Sequence, residues 1–110
     1  MYSTLIVGRW KGPEALSEVA RLFEAFDKTE VPHLMGTTRR ELFAYRGLYL
    51  HMQDFDTEEG GTRIREARDN PHFVQISADL KAYLAAYDPA IWRSPADAEA
   101  NRFYHWEASG

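Results

Sequence analysis

The segment from Thr37 to Asp54, TTRRELFAYRGLYLHMQD, constrains the fold more than any other part of the chain. Most of its residues are apolar or aromatic, and Gly47 interrupts it near its middle. Two such runs separated by a short turn signal are typical of a β-hairpin. We therefore predict two strands joined by a tight turn whose two residues are Arg46 and Gly47.

This turn fixes which side chains share a face, because side chains alternate along a strand. One face of the hairpin then carries Arg40, Leu42, Ala44, Tyr49, His51 and Gln53. The other face carries Arg39, Glu41, Phe43, Tyr45, Leu48, Leu50 and Met52. A slip of one residue would exchange the two faces, so both assignments depend on the predicted turn.

The rest of the chain supplies elements on both sides of the hairpin. In chain order we predict a strand over 2–10, a helix from 13 to about 28, the hairpin, a short weak helix over 62–68, a helix over 71–87 and a strand over 101–108. Apart from the weak helix, this order is that of the ferredoxin-like βαββαβ fold, an α+β class with an antiparallel sheet and helices on one face. The apolar outer face of the hairpin then needs cover, and a homodimer that joins two sheets is the simplest way to provide it.

Length and composition narrow the functional classes. With 110 residues the chain is expected to form a single domain, 1–110. The net charge of -4 and the lack of a basic block argue against nucleic acid as a partner. There are no cysteines, no basic and apolar leader is visible, and no stretch approaches the roughly 20 apolar residues of a membrane span. We expect a cytoplasmic protein without a membrane partner.

Three polar residues stand out because they interrupt apolar surfaces. Arg40 and His51 are diagonal neighbours on the hairpin face that the helices are expected to cover. Asp27 follows Phe23 by four residues, so it lies at the edge of the apolar stripe of the first helix. It also lies near the C-terminus of that helix, where the helix dipole disfavours a carboxylate. The three side chains are predicted to line one cleft.

Simpler interpretations of the same residues stay open. The pattern equally fits Arg40 as an edge-strand arginine that reaches to water and His51 as a hydrogen-bonded core histidine. The remaining histidines form no pair with metal-ligand spacing, so we expect no metal. No glycine-rich phosphate loop and no nucleophilic triad can be identified.

The sequence resembles the aromatic polyketide cyclases of the tetracenomycin type, which include the spore-pigment cyclases of actinomycetes. The resemblance covers nearly the whole chain. Its most specific motifs are D-x-T-E-x-P, an arginine-rich strand and L-Y-x-H. The matching stretches are FDKTEVPHLMGTTRRELFAYRGLYLHMQD (26–54), ARDNPHF (67–73), AYDPAIWR (86–93) and FYHWEA (103–108).

This resemblance implies a homodimer of the dimeric α/β-barrel kind, without a cofactor. It implies a cyclase that closes a ring by aldol-type addition and dehydration or aromatisation of a type II polyketide intermediate, an activity of the lyase or isomerase kind. Synthase components such as the acyl carrier protein are possible partners. The residues that match the proposed catalytic ones are Asp27, Arg40 and His51.

We predict roles for these residues from their chemistry. His51 is expected to be the principal acid and base, since an ordinary imidazole titrates near neutral pH. Arg40 would stabilise an enolate or alkoxide oxygen, and Asp27 would orient the other two or act as the alternate base. The predicted substrate-binding residues are Phe23, Phe26, Leu42, Tyr49 and Gln53.

Two other functions are compatible with the same pattern. One is a cofactor-free monooxygenase of an aromatic polyketide on the same fold, and the other is a non-catalytic polyketide-binding chaperone. The sequence leaves open the chain length of the polyketide, the ring that is closed, whether the substrate is carrier-bound, and the individual roles of the three site residues.

Overall fold

A computed structural model describes residues 2–57, 60–90 and 98–108. The elements are β1 (Tyr2–Trp10), α1 (Ala15–Phe26), α2 (Val31–Met35), β2 (Thr37–Tyr45), β3 (Leu48–Phe55), α3 (Gly60–Ala67), α4 (Pro71–Leu80) and β4 (Leu84–Ala86). The four strands form one antiparallel sheet in the order β2-β3-β1-β4, with the helices packed on one face. This confirms the predicted ferredoxin-like fold.

The predicted hairpin turn is confirmed, and with it the register. Arg46 and Gly47 both have positive φ angles, 46° and 84°, as the tight turns of β-hairpins require. Leu42 lies opposite His51, and Arg40 lies opposite Gln53. The two faces of the hairpin are therefore those derived from the sequence.

One irregularity in the hairpin was not predicted. A β-bulge interrupts the pairing between Thr37 and Arg39, so that Thr37 lies opposite Phe55 while Arg39 lies opposite Asp54. Strict alternation would put Thr37 and Arg39 on the same face. The extra residue, Thr38, instead moves Thr37 to the face shared by Phe55, which is the face covered by the helices.

The core lies between the helices and this face of the sheet. Its buried members are Val19, Phe23, Phe26, Val31, Met35, Tyr49, Phe55 and Ile76. The stripe predicted for the first helix is confirmed at Val19, Phe23 and Phe26. Leu16, which lies at helical spacing from Val19 and Phe23, is 39% exposed.

The end of the chain departs from the prediction. The fourth strand is Leu84–Ala86, inside the segment predicted to be helical, and residues 101–108 carry no strand. Leu84 and Ala86 pair with Trp10 and Gly8 on the edge of β1. The prediction was wrong here because Leu80 and Leu84 are spaced as in a helix and a strand of three residues carries little local signal. Pairing with the free edge of β1 decides the conformation of these residues.

A short helix also replaces part of a predicted loop. Pro32 lies in the first turn of α2, where a proline costs no hydrogen bond. The helix ends at Gly36, whose φ of 75° gives the left-handed cap that favours glycine. Asp56 donates its backbone N–H to the Gly36 carbonyl at 2.9 Å, which ties this cap to the end of β3.

The outer face of the sheet is apolar and partly open. Phe43 is 46% exposed and Tyr45 is 62% exposed, as the register requires for side chains that point away from the helices. The homodimer expected to cover this face stays a prediction. Within the part of the chain that the structure describes, no helix has the length and apolar character needed to cross a membrane.

Candidate active site

The candidate site is centred on the Arg40 guanidinium, which the hairpin places beneath α1. The Arg40 side chain is only 7% exposed. Its Nε atom lies 3.0 Å from both carboxylate oxygens of Asp27, and its Nη2 atom lies 2.9 Å from Asp27 Oδ1. One edge of the guanidinium fork therefore faces the carboxylate side-on, a geometry that a lysine ammonium cannot reproduce.

Asp27 is positioned by the end of α1. It is the C-cap residue, and its backbone N–H donates to the Phe23 carbonyl at 2.8 Å. The helix dipole disfavours a carboxylate at this end, and the Arg40 cation compensates for it. The Asp27 side chain is 39% exposed, which makes it the part of the cluster that a molecule arriving from solvent can reach.

The other edge of the guanidinium faces β3. Arg40 Nη1 lies 2.8 Å from His51 Nε2 and donates to Gln53 Oε1 at 3.3 Å. An arginine can only donate, so His51 Nε2 must be the acceptor. The imidazole is therefore neutral, with its proton on Nδ1.

The environment of His51 agrees with this neutral state. Burial, and then the nearby Arg40 charge, lower the pKa of His51 to about 3. This environment opposes titration of the imidazole near neutral pH, and the predicted role of His51 as principal acid and base stays a prediction. In this arrangement His51 is an acceptor that helps to hold Arg40, and the carboxylate of Asp27 is the group available as a base.

Aromatic rings enclose the cluster. The guanidinium carbon of Arg40 lies 4.8 Å from the Phe23 ring centroid and 5.6 Å from that of Phe26, within the range of cation–π attraction. The Phe23 and His51 ring centroids are 5.1 Å apart. Burial raises the pKa of Tyr49, outweighing the opposite effect of Arg40, so its hydroxyl stays protonated at neutral pH.

The structure thus brings together all the predicted site residues. Several of them are packed in the core or hydrogen-bonded within the protein, rather than lining an open pocket. Phe23, Phe26 and Tyr49 belong to the core, and Leu42 is half-buried opposite His51. The Gln53 amide is engaged within the protein by Arg40 and Thr37. Binding of substrate by these five residues stays a prediction.

Thr37 also belongs to the cluster, and sequence reasoning missed it. Gln53 Nε2 donates to Thr37 Oγ1 at 2.7 Å, so the hydrogen-bonded cluster extends to the start of β2. The alternation of side chains assigns Thr37 to the opposite face, and only the bulge at Thr38 brings it here. No local signal in TTRRE marks that bulge.

Comparison with known proteins gives the family. The family model described as "Polyketide synthesis cyclase" matches residues 2–107. The chain belongs to this family. It is 44% identical over 108 residues to the uncharacterized protein SCO5314 of Streptomyces coelicolor, with 97% of this chain and 96% of that protein covered. It is 42% identical over 107 residues to polyketide synthase CurG of Streptomyces cyaneus, covering 97% and 98%.

A solved structure supports the same assignment. Tetracenomycin F2 cyclase from Streptomyces glaucescens, described as a type-II polyketide cyclase, superimposes with a TM-score of 0.89 at 33% identity. The match covers 99% of this chain and 100% of that chain. The family and this match support a type II polyketide cyclase.

The described residues offer no obvious metal site. Within 2–57, 60–90 and 98–108, no group of three or more His, Cys, Asp or Glu side chains is arranged to hold a metal ion. The expectation that this cyclase needs no cofactor stays a prediction.

The neutral state of His51 predicts how stability changes with pH. Its pKa is about 3 in the folded protein and about 6.5 in an unfolded chain, so the unfolded state binds more protons between these values. The contribution of His51 is complete above pH 6.5 and is lost as the pH falls. From pH 7 to pH 5 we expect it to lower the free energy of unfolding by about 2 kcal/mol.

Urea unfolding at pH 5, 6 and 7 measures the free energy of unfolding and tests this expectation, with His51→Gln as the matched variant. A glutamine does not titrate, and its amide oxygen can still accept from Arg40. The difference in unfolding free energy between wild type and variant should shrink toward pH 5. Parallel pH curves for the two proteins would contradict the lowered pKa of His51.

Proposed function

We propose that this protein is a cofactor-independent cyclase that closes a ring in a type II polyketide intermediate by intramolecular aldol-type addition and dehydration. The observation that carries the proposal is the partly exposed Asp27 carboxylate held side-on by the buried Arg40. A base next to a fixed cation, with aromatic side chains around them, suits a reaction in which a carbanion forms beside carbonyl groups.

In the first step Asp27 takes a proton from a methylene that lies between two carbonyl groups of the substrate. The electron pair of the broken C–H bond becomes the enolate, so the negative charge moves from the carboxylate to the substrate oxygen. Arg40 keeps its charge and becomes the counter-ion of the enolate. Because the guanidinium is already oriented, this stabilisation needs no reorganisation during the reaction.

In the second step the enolate carbon attacks a distant carbonyl carbon of the same molecule. A C–C bond forms, and the carbonyl oxygen becomes an alkoxide that takes the proton back from Asp27. Asp27 then takes a further ring proton and passes it to the departing hydroxyl group, so that one water is released, and enolisation of the remaining ring carbonyl groups gives the aromatic ring. Holding the two reacting carbons together contributes to the rate and selects one ring over another.

His51 serves in this scheme as a neutral acceptor that fixes one side of Arg40. This role differs from that of acid and base, which the sequence predicted, because the Nε2 lone pair of His51 is directed at the Arg40 guanidinium. The five residues predicted to bind substrate would shape the surroundings of Asp27, with Phe23 and Phe26 as its nearest aromatic neighbours in α1.

We further propose that the molecule acts as a homodimer and that its substrate comes from a synthase that carries intermediates on an acyl carrier protein. The exposed Phe43 and Tyr45 on the open sheet face support the dimer. Light scattering after size exclusion tests it: a monomer mass at micromolar concentration would contradict the proposal.

Product analysis with a reconstituted minimal type II synthase tests the proposed reaction. A ring pattern that forms only when this protein is present, without oxygen uptake, is the expected result. Oxygen consumption that is stoichiometric with product would instead indicate a monooxygenase. A ring pattern that depends on the protein but survives the combined loss of Asp27, Arg40 and His51 would indicate a non-catalytic chaperone.

A further inference from the structure

The Gln53 amide links Arg40 to Thr37, the member of the cluster at the start of β2. Gln53 is buried in β3, with Arg40 Nη1 on one side and Thr37 Oγ1 on the other. Arg40 has only donors, so the amide must present its Oε1 atom to the guanidinium. Its Nε2 atom then points the other way and donates to the Thr37 hydroxyl at 2.7 Å. The donor and the acceptor of both hydrogen bonds, from Arg40 to Gln53 and from Gln53 to Thr37, are thereby determined.

A β-bulge brings the Thr37 hydroxyl within reach of the Gln53 amide. The bulge at Thr38 turns Thr37 onto the helix-covered face, next to Gln53. Without it, Thr37 would lie on the outer face and the buried Nε2 donor would lack this partner. Bulges that re-aim a side chain are over-represented next to active sites, which makes the bulge an observation independent of the hydrogen bonds.

We propose that Thr37 is a positioning residue for the ring closure, acting on Arg40 through the Gln53 amide. This inference rests on the proposed function. The Gln53 oxygen and His51 Nε2 together engage Nη1, and Asp27 engages the opposite edge of the fork. With the amide anchored by Thr37, the guanidinium cannot turn away from the carboxylate that acts as the base.

The inference also changes the role of Gln53. The sequence predicted that its amide binds substrate, but its acceptor and a donor are both used inside the protein. Gln53 thereby transmits the position of Thr37 to Arg40. A group that acts in this way should affect the turnover of bound substrate more than the binding of substrate.

Kinetics of Thr37→Val and Thr37→Ser test the role of the hydroxyl. Valine keeps the branched shape but has no acceptor, whereas serine retains it. We expect Thr37→Val to lower kcat roughly three- to tenfold, as the loss of one hydrogen bond would, with KM nearly unchanged. Thr37→Ser should restore most of kcat. The control is Thr62→Val in α3, whose exposed hydroxyl accepts from Arg65 Nη2 at 3.2 Å outside the cluster, and its kcat should be unchanged.

A double-mutant cycle tests the route through Gln53. Gln53→Met removes the amide at similar volume and should lower kcat by itself. In that background Thr37→Val should cause no further loss, because its route to Arg40 is already broken. Additive losses, or an unchanged kcat in folded Thr37→Val, would overturn the proposal. If Thr37→Val does not fold, Gln53→Met alone decides, and an unchanged kcat overturns the proposal.

A readout that does not need activity separates this inference from the proposed function. The side-chain N–H signals of Arg40 in ¹⁵N NMR, assigned by their loss in Arg40→Lys, report rotation of the guanidinium. They should be distinct and slowly exchanging in wild type and Thr37→Ser, and averaged in Thr37→Val. Unchanged Arg40 signals in Thr37→Val overturn the positioning role, whereas an inactive wild type with the expected signals refutes only the cyclase reaction.

Discussion

Asp27→Asn should lower kcat by about 10²- to 10⁴-fold, the range that general-base catalysis contributes. The amide oxygen can still accept from Arg40 Nε, but the amide cannot take a proton from the substrate. The effect should therefore fall on kcat, while KM changes little. Single-turnover ring closure with saturating protein measures the chemical step directly.

Asp56→Asn is a matched control for this substitution. Asp56 also pairs with an arginine, Arg63, at 3.2 Å, but it lies outside the cluster around Arg40. Its loss should leave kcat unchanged. Because Asp27→Asn removes the charge that compensates a buried guanidinium, circular dichroism and thermal unfolding should accompany the kinetics. A folded Asp27→Asn protein with wild-type turnover would refute the role of Asp27 as the base.

Arg40→Lys should lower kcat by about 10²- to 10³-fold, comparable to the loss of one preorganised donor at a developing oxyanion. The substitution keeps the charge, but an ammonium group is a point donor. It cannot engage Asp27 side-on while it also donates to His51 and Gln53. The carboxylate would lose its fixed orientation, and the enolate would lose its oriented counter-ion.

Arg39→Lys is the control, because Arg39 is the adjacent residue yet points to the opposite face of the sheet. It is exposed and pairs with Glu41. Its replacement should change turnover by less than about twofold, since surface ion pairs contribute little. Equal turnover losses in the two lysine variants would show that the fork geometry of Arg40 has no special role.

The hairpin illustrates what could be derived in advance. The sequence RG at 46–47 admits a turn with two positive φ angles, and the alternation of side chains then follows from it. Arg40, His51 and Gln53 were placed on the helix-covered face in this way, and Asp27 was placed nearby from the four-residue spacing on α1. These are local patterns, and they depend on only one turn.

Other features depend on contacts between distant segments. The fourth strand exists because the edge of β1 is free to pair with Leu84–Ala86, whereas the local spacing favours helix. Similarly, residues 101–108 are rich in strand formers but have no strand partner in the described part of this chain, and Phe103 is 95% exposed. A propensity alone cannot supply a pairing edge.

The protonation state of His51 shows most clearly the difference between what local sequence patterns determine and what tertiary packing decides. The sequence by itself determined the fold class, the hairpin register and the meeting of Asp27, Arg40, His51 and Gln53, because turn chemistry and side-chain periodicity are local. Only the tertiary structure decided that the imidazole is buried against a cation and neutral, that the Asp27 carboxylate is partly exposed, and that Thr37 joins the cluster. Burial, charge proximity and a bulge arise from packing, which no local pattern encodes.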